Sequence, residues 1–142
     1  MEEHAIYQIG LKVLLHHNGL FLLMKDAWTG HFDLPGGRMD SSEKQLPLSE
    51  ILAREIREEL GNSVLYALGS PLFQYRRVPF RPGTDVFITV YDGEFISGTI
   101  TLSEEHSSYE WIDPKSFSFK KEDFGNEEEY IAMQHYFDSL KI

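Results

Sequence analysis

Glu55, Glu58 and Glu59 lie in the stretch Arg54-Glu55-Ile56-Arg57-Glu58-Glu59-Leu60-Gly61. At 3.6 residues per turn, a helix gathers their carboxylates within an arc of roughly 100°. Like charges three and four residues apart repel, so a surface helix gains nothing from this choice. A divalent cation held among them reverses the sign of that cost. The competing reading is a solvated acidic helix end, laced by Arg54 and Arg57. Arg54 stands next to Glu55 and one turn before Glu58, where it can hold either carboxylate in a fixed rotamer while staying charged.

The helix that positions these groups is legible on both sides. Leu52, Ala53, Ile56 and Leu60 fall on a neighbouring face, so one face packs and the next collects charge. Ser49 is a candidate N-cap, and Gly61-Asn62 tolerates a left-handed exit, which sets the helix at about 49 to about 60.

Upstream, Leu34-Pro35-Gly36-Gly37-Arg38 is followed by Glu43. With these residues the chain resembles the Nudix hydrolases, whose box reads G-x5-E-x7-R-E-U-x-E-E-x-G-U, U being a bulky aliphatic residue. Gly37, Glu43, Arg54, Glu55, Ile56, Glu58, Glu59 and Gly61 match it in order. The chain departs from the box twice: ten residues, Lys44 to Ala53, stand where the family has seven, and Asn62 replaces the last aliphatic residue. The first departure reads as an insertion of Gln45-Leu46-Pro47 or nearby, in a loop that Pro47 makes physically reasonable.

The resemblance implies a Nudix α/β/α sandwich with a mixed central sheet. It implies hydrolysis of a phosphoanhydride with Mg²⁺ or Mn²⁺, Glu55, Glu58 and Glu59 being metal ligands, a backbone carbonyl of Gly36 or Gly37 another, and Arg54 orienting the carboxylates. Glu43 is expected to help through the glycine turn or an outer-shell water. Carboxylates at these spacings suit a hard cation that shares its shell with a diphosphate. Glycines suit the close approach of backbone to metal or phosphate.

For the general base, Ser103-Glu104-Glu105-His106 offers a later loop, with Glu105 first, Glu104 second and His106 third, and a glutamate of the box as the alternative. For substrate, Tyr75-Arg76-Arg77-Val78-Pro79-Phe80-Arg81 combines aromatics with Arg76, Arg77 and Arg81, as a phosphate-gripping loop would, against the reading of an exposed connection. Arg38 is a further candidate contact. Trp28 and Phe32 could line a nucleoside pocket or simply pack.

The net charge of −10 argues against nucleic-acid backbones and anionic membranes as partners. It also means that local cations must screen an anionic substrate. The leading expectation is a pyrophosphohydrolase acting on a nucleoside diphosphate linked to another moiety, such as a nucleotide sugar, a dinucleoside polyphosphate or a nucleoside triphosphate. A non-catalytic nucleotide-binding module and an RNA 5′-end pyrophosphohydrolase are the alternatives. The sequence leaves the oligomeric state open, a homodimer included.

The 142 residues, 42% hydrophobic and 13% aromatic, are expected to form a single domain over 1–142. No apolar run reaches membrane-spanning length, Met1-Glu2-Glu3-His4 lacks a basic start, and there is no cysteine, so a cytoplasmic protein without disulfides is expected. Ala5 to Leu15 and Leu20 to Lys25 read as strands around an Asn18-Gly19 hairpin turn, with His16 and His17 as exposed hairpin residues rather than ligands. Phe32 to Leu34 reads as a short strand entering the glycine turn. Further strands are expected at Val64–Leu68, Leu72–Arg77, Asp85–Tyr91, Thr99–Leu102 and Tyr109–Ile112. A terminal helix from Asn126 to Leu140 carries Tyr130, Met133, Gln134, Phe137 and Leu140 on one side. Composition and periodicity alone reach α/β or α+β.

Overall fold

Strand β1, Gln8–His17, is apolar on both faces, so it can be stable only at the centre of a covered sheet. In the computed structural model, which describes residues 3–79 and 83–141, Leu11, Val13 and Leu15 enter one apolar layer and Leu14 enters the other. One edge of β1 pairs in parallel with β6, Val86–Ser97. The other edge is shared. The hairpin partner β2, Leu20–Asp26, pairs with it beside the turn, and β4, Gly36–Arg38, takes over further along. Beyond the turn, β2 instead pairs with β3, Phe32–Asp33, and β7, His106–Ile112. With β5, Leu65–Arg77, on β6, the mixed sheet has seven strands.

Helix α1, Leu48–Leu60, closes one face by burying Ile51, Leu52, Ile56 and Leu60 against Leu11, Val13, Leu15, Leu22 and Met24. Helix α2, Glu127–Ser139, closes the other with Met133 and Phe137 against Leu14, Leu23, Ile88 and Val90. Each fully buried aliphatic or aromatic side chain contributes roughly 1.5–3 kcal/mol, so the α1 stripe fixes the rotation of the helix and hence the direction of its glutamates. This is the expected α/β/α sandwich.

Asn18 and Gly19 both take positive φ, 52° and 78°, as the hairpin requires. His16 and His17 lie within the end of β1, and His17 Nδ1 lies 3.0 Å from the carbonyl oxygen of Phe95.

Several boundaries differ from expectation for identifiable reasons. The stretches expected at 64–68 and 72–77 merge into one long edge strand that begins at Leu65, because its register shifts around Pro71 absorb a residue that cannot donate to a ladder. Residues 99–102 form no strand; Thr101 N instead donates to the carbonyl of Leu60 at 2.9 Å, satisfying the exit of α1. The entrance of α1 is Pro47 rather than Ser49, and its carbonyl receives Glu50 N at 3.0 Å. The expected glycine turn is a strand. Gly36 takes φ 135°, and a Cβ there would overlap the carbonyl oxygen of Leu11.

Candidate active site

The α1 face beside the apolar stripe carries Arg54, Glu55, Glu58 and Glu59. Glu55 and Glu59 are buried, whereas the Glu58 side chain is 58% exposed. Arg54 organises the set. Its Nε and Nη2 each donate at 2.7 Å to the two oxygens of Glu43, its Nη1 reaches both oxygens of Glu58 at 3.2 Å, and its Nη2 lies 2.9 Å from Glu55 Oε1. Glu43 is presented by a 3₁₀ turn, Ser41–Glu43, in which Asp40 N donates to its Oε1 at 2.8 Å. The longer connection before α1 therefore leaves Glu43 within reach of Arg54. The Arg54 hydrogen bonds hold the Glu43 carboxyl below its ordinary range.

Strand β4 lies directly against this face. Gly36 N donates to Glu59 Oε2 at 3.1 Å, and a Cβ on Gly37 would overlap the Glu55 carboxylate. The glycine thus makes room for the acid. Burial pushes Glu59 up to about 7, with Lys12 and the Gly36 amide offsetting only part of the cost. Burial also raises Glu55, against the pull of Arg54. Two carboxylates short of solvation favour a bound positive charge, proton or metal.

Beneath them lies a polar network assembled from β1, β3, β5 and β7. Asp33 Oδ1 accepts from Lys12 Nζ at 2.9 Å and Arg77 Nη2 at 3.3 Å, while Asp33 Oδ2 lies 3.0 Å from His106 Nε2. Burial works against the Asp33 charge, but Lys12, the His106 hydrogen bond and Arg77 together hold its carboxyl far below the usual range. Arg77 forks onto Glu129 of α2 at 2.9 and 2.8 Å. Sequence reasoning did not single out Lys12 or Asp33. Their signals were a lone lysine in the apolar run Gly10-Leu11-Lys12-Val13-Leu14-Leu15 and an aspartate between Phe32 and Leu34.

Above the network opens a cleft of about 910 Å³, with Gly36, Gly37, Glu55, Glu58 and Glu59 in its wall. Glu104 and Glu105 border it from the loop before β7. One donor atom from each of Glu59, Glu105 and His106 lies within 4.8 Å of the others, so among the described residues a compact donor group spans α1, the loop and the start of β7. Helix spacing alone pointed to Glu55, Glu58 and Glu59. Trp28 stands at the rim, 78% exposed, and Arg38 borders the cleft with its Nη1 donating to the neutral Gln8 Oε1 at 2.9 Å.

Other expected substrate contacts are placed differently. Arg76 is held by Glu128, with Nη2 at 2.7 Å, and does not border this cleft; Arg77 borders it but is committed to Glu129 and Asp33. These two arginines are thus balanced by the protein's own carboxylates. Phe32 packs its ring against Phe117, Phe119 and Phe124. Phe80 and Arg81 lie outside the described residues.

The donor chemistry fits a divalent metal. Carboxylate oxygens predominate, a glycine leaves space beside them, and an arginine fixes their rotamers.

The NUDIX domain family profile matches residues 7–134, and the chain belongs to the Nudix hydrolase family, whose members act on phosphoanhydride bonds and generally depend on a divalent metal. Among its relatives is the nucleoside triphosphatase NudI of Escherichia fergusonii, 26% identical over 117 residues, which cover 74% of this chain and 81% of that protein. The crystal structure of the MutT protein from Methanosarcina mazei Go1 superposes with a TM-score of 0.69 at 26% identity, over 97% of this chain and 95% of that one. A UDP-X diphosphatase structure shares the fold at a TM-score of 0.68 and 12% identity, over 99% of this chain and 67% of that one.

Proposed function

We propose that this protein is a metal-dependent pyrophosphohydrolase that cleaves the phosphoanhydride of a nucleoside diphosphate linked to another moiety. The observation that carries the reading is the pair of buried carboxylates, Glu55 and Glu59, set against Gly37 and Gly36 in the wall of an open polar cleft. Glu55, Glu58 and Glu59, with a carbonyl of Gly36 or Gly37, would hold Mg²⁺ or Mn²⁺. When bound, the ion supplies positive charge to the phosphoryl oxygens and acidifies a water.

The chain's own residues do the rest. Arg54 holds Glu43, Glu55 and Glu58 in one arrangement, so little reorganisation is needed when the substrate arrives. Glu105, on the loop facing Glu59, takes the proton of the attacking water as its oxygen bonds to phosphorus and the bridging oxygen leaves. Arg38, whose Nη1 donates to the neutral side chain of Gln8, meets a phosphate, and Trp28 offers its exposed ring to a base.

Nucleoside triphosphates lead the candidate substrates because the NudI relative is a nucleoside triphosphatase; nucleotide sugars and dinucleoside polyphosphates follow. The test is product release from a panel of all three with Mg²⁺ or Mn²⁺. At least one compound is expected to be hydrolysed, with activity abolished by EDTA. A panel untouched under both metals counts against the reading.

A further inference from the structure

His106 sits at the start of β7 with its side chain only 3% exposed, yet its Nδ1 is buried without a hydrogen-bond partner among the described residues. Such an atom carries the full cost of desolvation unless something binds it. The opposite ring nitrogen shows which form it takes. Asp33 Oδ2 is an ionised acceptor with no proton to give, so His106 Nε2, 3.0 Å away, carries the hydrogen. Burial opposes a charged ring, but the Asp33 hydrogen bond and the charges of Asp33 and Glu59 favour it, so a cation displaces the Nδ1 proton and meets a lone pair there. A donor atom of this residue lies within 4.8 Å of carboxylate oxygens of both Glu59 and Glu105.

A histidine that donates one ring N–H to a carboxylate, keeps its other nitrogen buried without a partner among the described residues, and has acidic side chains beside the ring has the arrangement typical of a metal ligand and its supporting acid. We infer that His106 Nδ1 joins Glu59 in a mixed nitrogen and oxygen cation site that Glu105 borders, Asp33 serving as the positioning residue that fixes the tautomer. This rests on reading the same cleft as a metal centre, and it names the ion class that the site selects. Mg²⁺ favours an all-oxygen shell, whereas an imidazole raises affinity for first-row transition ions. The site therefore favours Mn²⁺, Co²⁺ or Zn²⁺ over Mg²⁺.

The direct readout is pulsed EPR of the tag-free protein loaded with Mn²⁺ in a nitrogen-free buffer. A ¹⁴N coupling from imidazole is expected in the wild type and is lost in His106→Asn. In that variant Mn²⁺ affinity, measured by titration calorimetry, falls about 10–100-fold, while Mg²⁺ affinity falls less.

Asp33→Asn is the second variant, because it keeps the imidazole in place. Lys12 and Arg77 both require an acceptor at Oδ1, so the new amide NH₂ faces His106 Nε2 and forces the proton onto Nδ1. The ¹⁴N coupling is again lost. A wild-type spectrum without ¹⁴N coupling, which needs no variant to fold, overturns the inference, as does a coupling that persists in folded His106→Asn. Hydrolysis of the substrate panel is scored separately. Turnover without ¹⁴N coupling removes this ligand and leaves the proposed function standing; coupling without turnover does the reverse.

Discussion

Arg54 places its guanidinium among the carboxylates of Glu43, Glu55 and Glu58, a geometry that a lysine's single point charge cannot reproduce. Arg54→Lys is expected to keep the fold and lower kcat by up to about 100-fold, since a small displacement of reacting groups costs that much. Steady-state kinetics beside a thermal melt decides it, and an unchanged kcat would show that the arginine only decorates the helix. Glu59 makes a second prediction through its proton. Burial raises its carboxyl from an ordinary 4.5 to about 7, so the metal-free folded state binds that proton more tightly than the unfolded chain does. The resulting stability is full below the unfolded value and disappears as pH rises through the folded one. In EDTA, the melting temperature should therefore fall between about pH 5 and about pH 8 more steeply in the wild type than in Glu59→Gln. Parallel slopes in the two proteins would exclude Glu59 as the source.

At the level of elements, the close fit of β4 against α1 makes the smallest possible side chain a test. Gly37→Ala puts a methyl group into the space of the Glu55 carboxylate, so it should lower metal affinity and turnover together while leaving the secondary structure seen by circular dichroism unchanged. Wild-type affinity in that variant would mean that Glu55 has room to spare. Helix α2 tests a different point, because Asn126 Oδ1 accepts from Glu129 N at 2.8 Å as an N-cap. Asn126→Ala should cost about 1 kcal/mol in denaturant unfolding. Both helices were legible in the sequence, since a stripe such as Ile51, Leu52, Ile56 and Leu60 follows from helical period alone, and Asn18-Gly19 announces its hairpin by backbone chemistry. Strand β4 was not legible, because Gly-Gly reads as a turn until β1 provides a pairing edge. Nor was the joining of 64–68 to 72–77, since Pro71 reads as a break and becomes a bulge only on an edge strand.

For the whole molecule, the sheet joins what the sequence separates. Lys12 on β1, Asp33 on β3, Arg77 on β5 and His106 on β7 meet in one network because β1 and β2 share only the region of their turn and then diverge to different partners. Local patterns carry no record of such pairing, so the helical half of the site could be read from spacing and the half beneath it could not. The same limit separates Arg76 from Arg77, neighbours in sequence that β5 sends to different acids of α2, Glu128 and Glu129. On the proposed function, the acidic face of α1 holds the metal that supports hydrolysis. The most direct test of this role is Glu58→Gln, because that side chain is largely solvent-exposed and its loss leaves the core intact. On the substrate that the wild type hydrolyses, the variant should keep its melting temperature while its metal-dependent turnover falls by orders of magnitude; turnover equal to wild type would rule out this role for the α1 face.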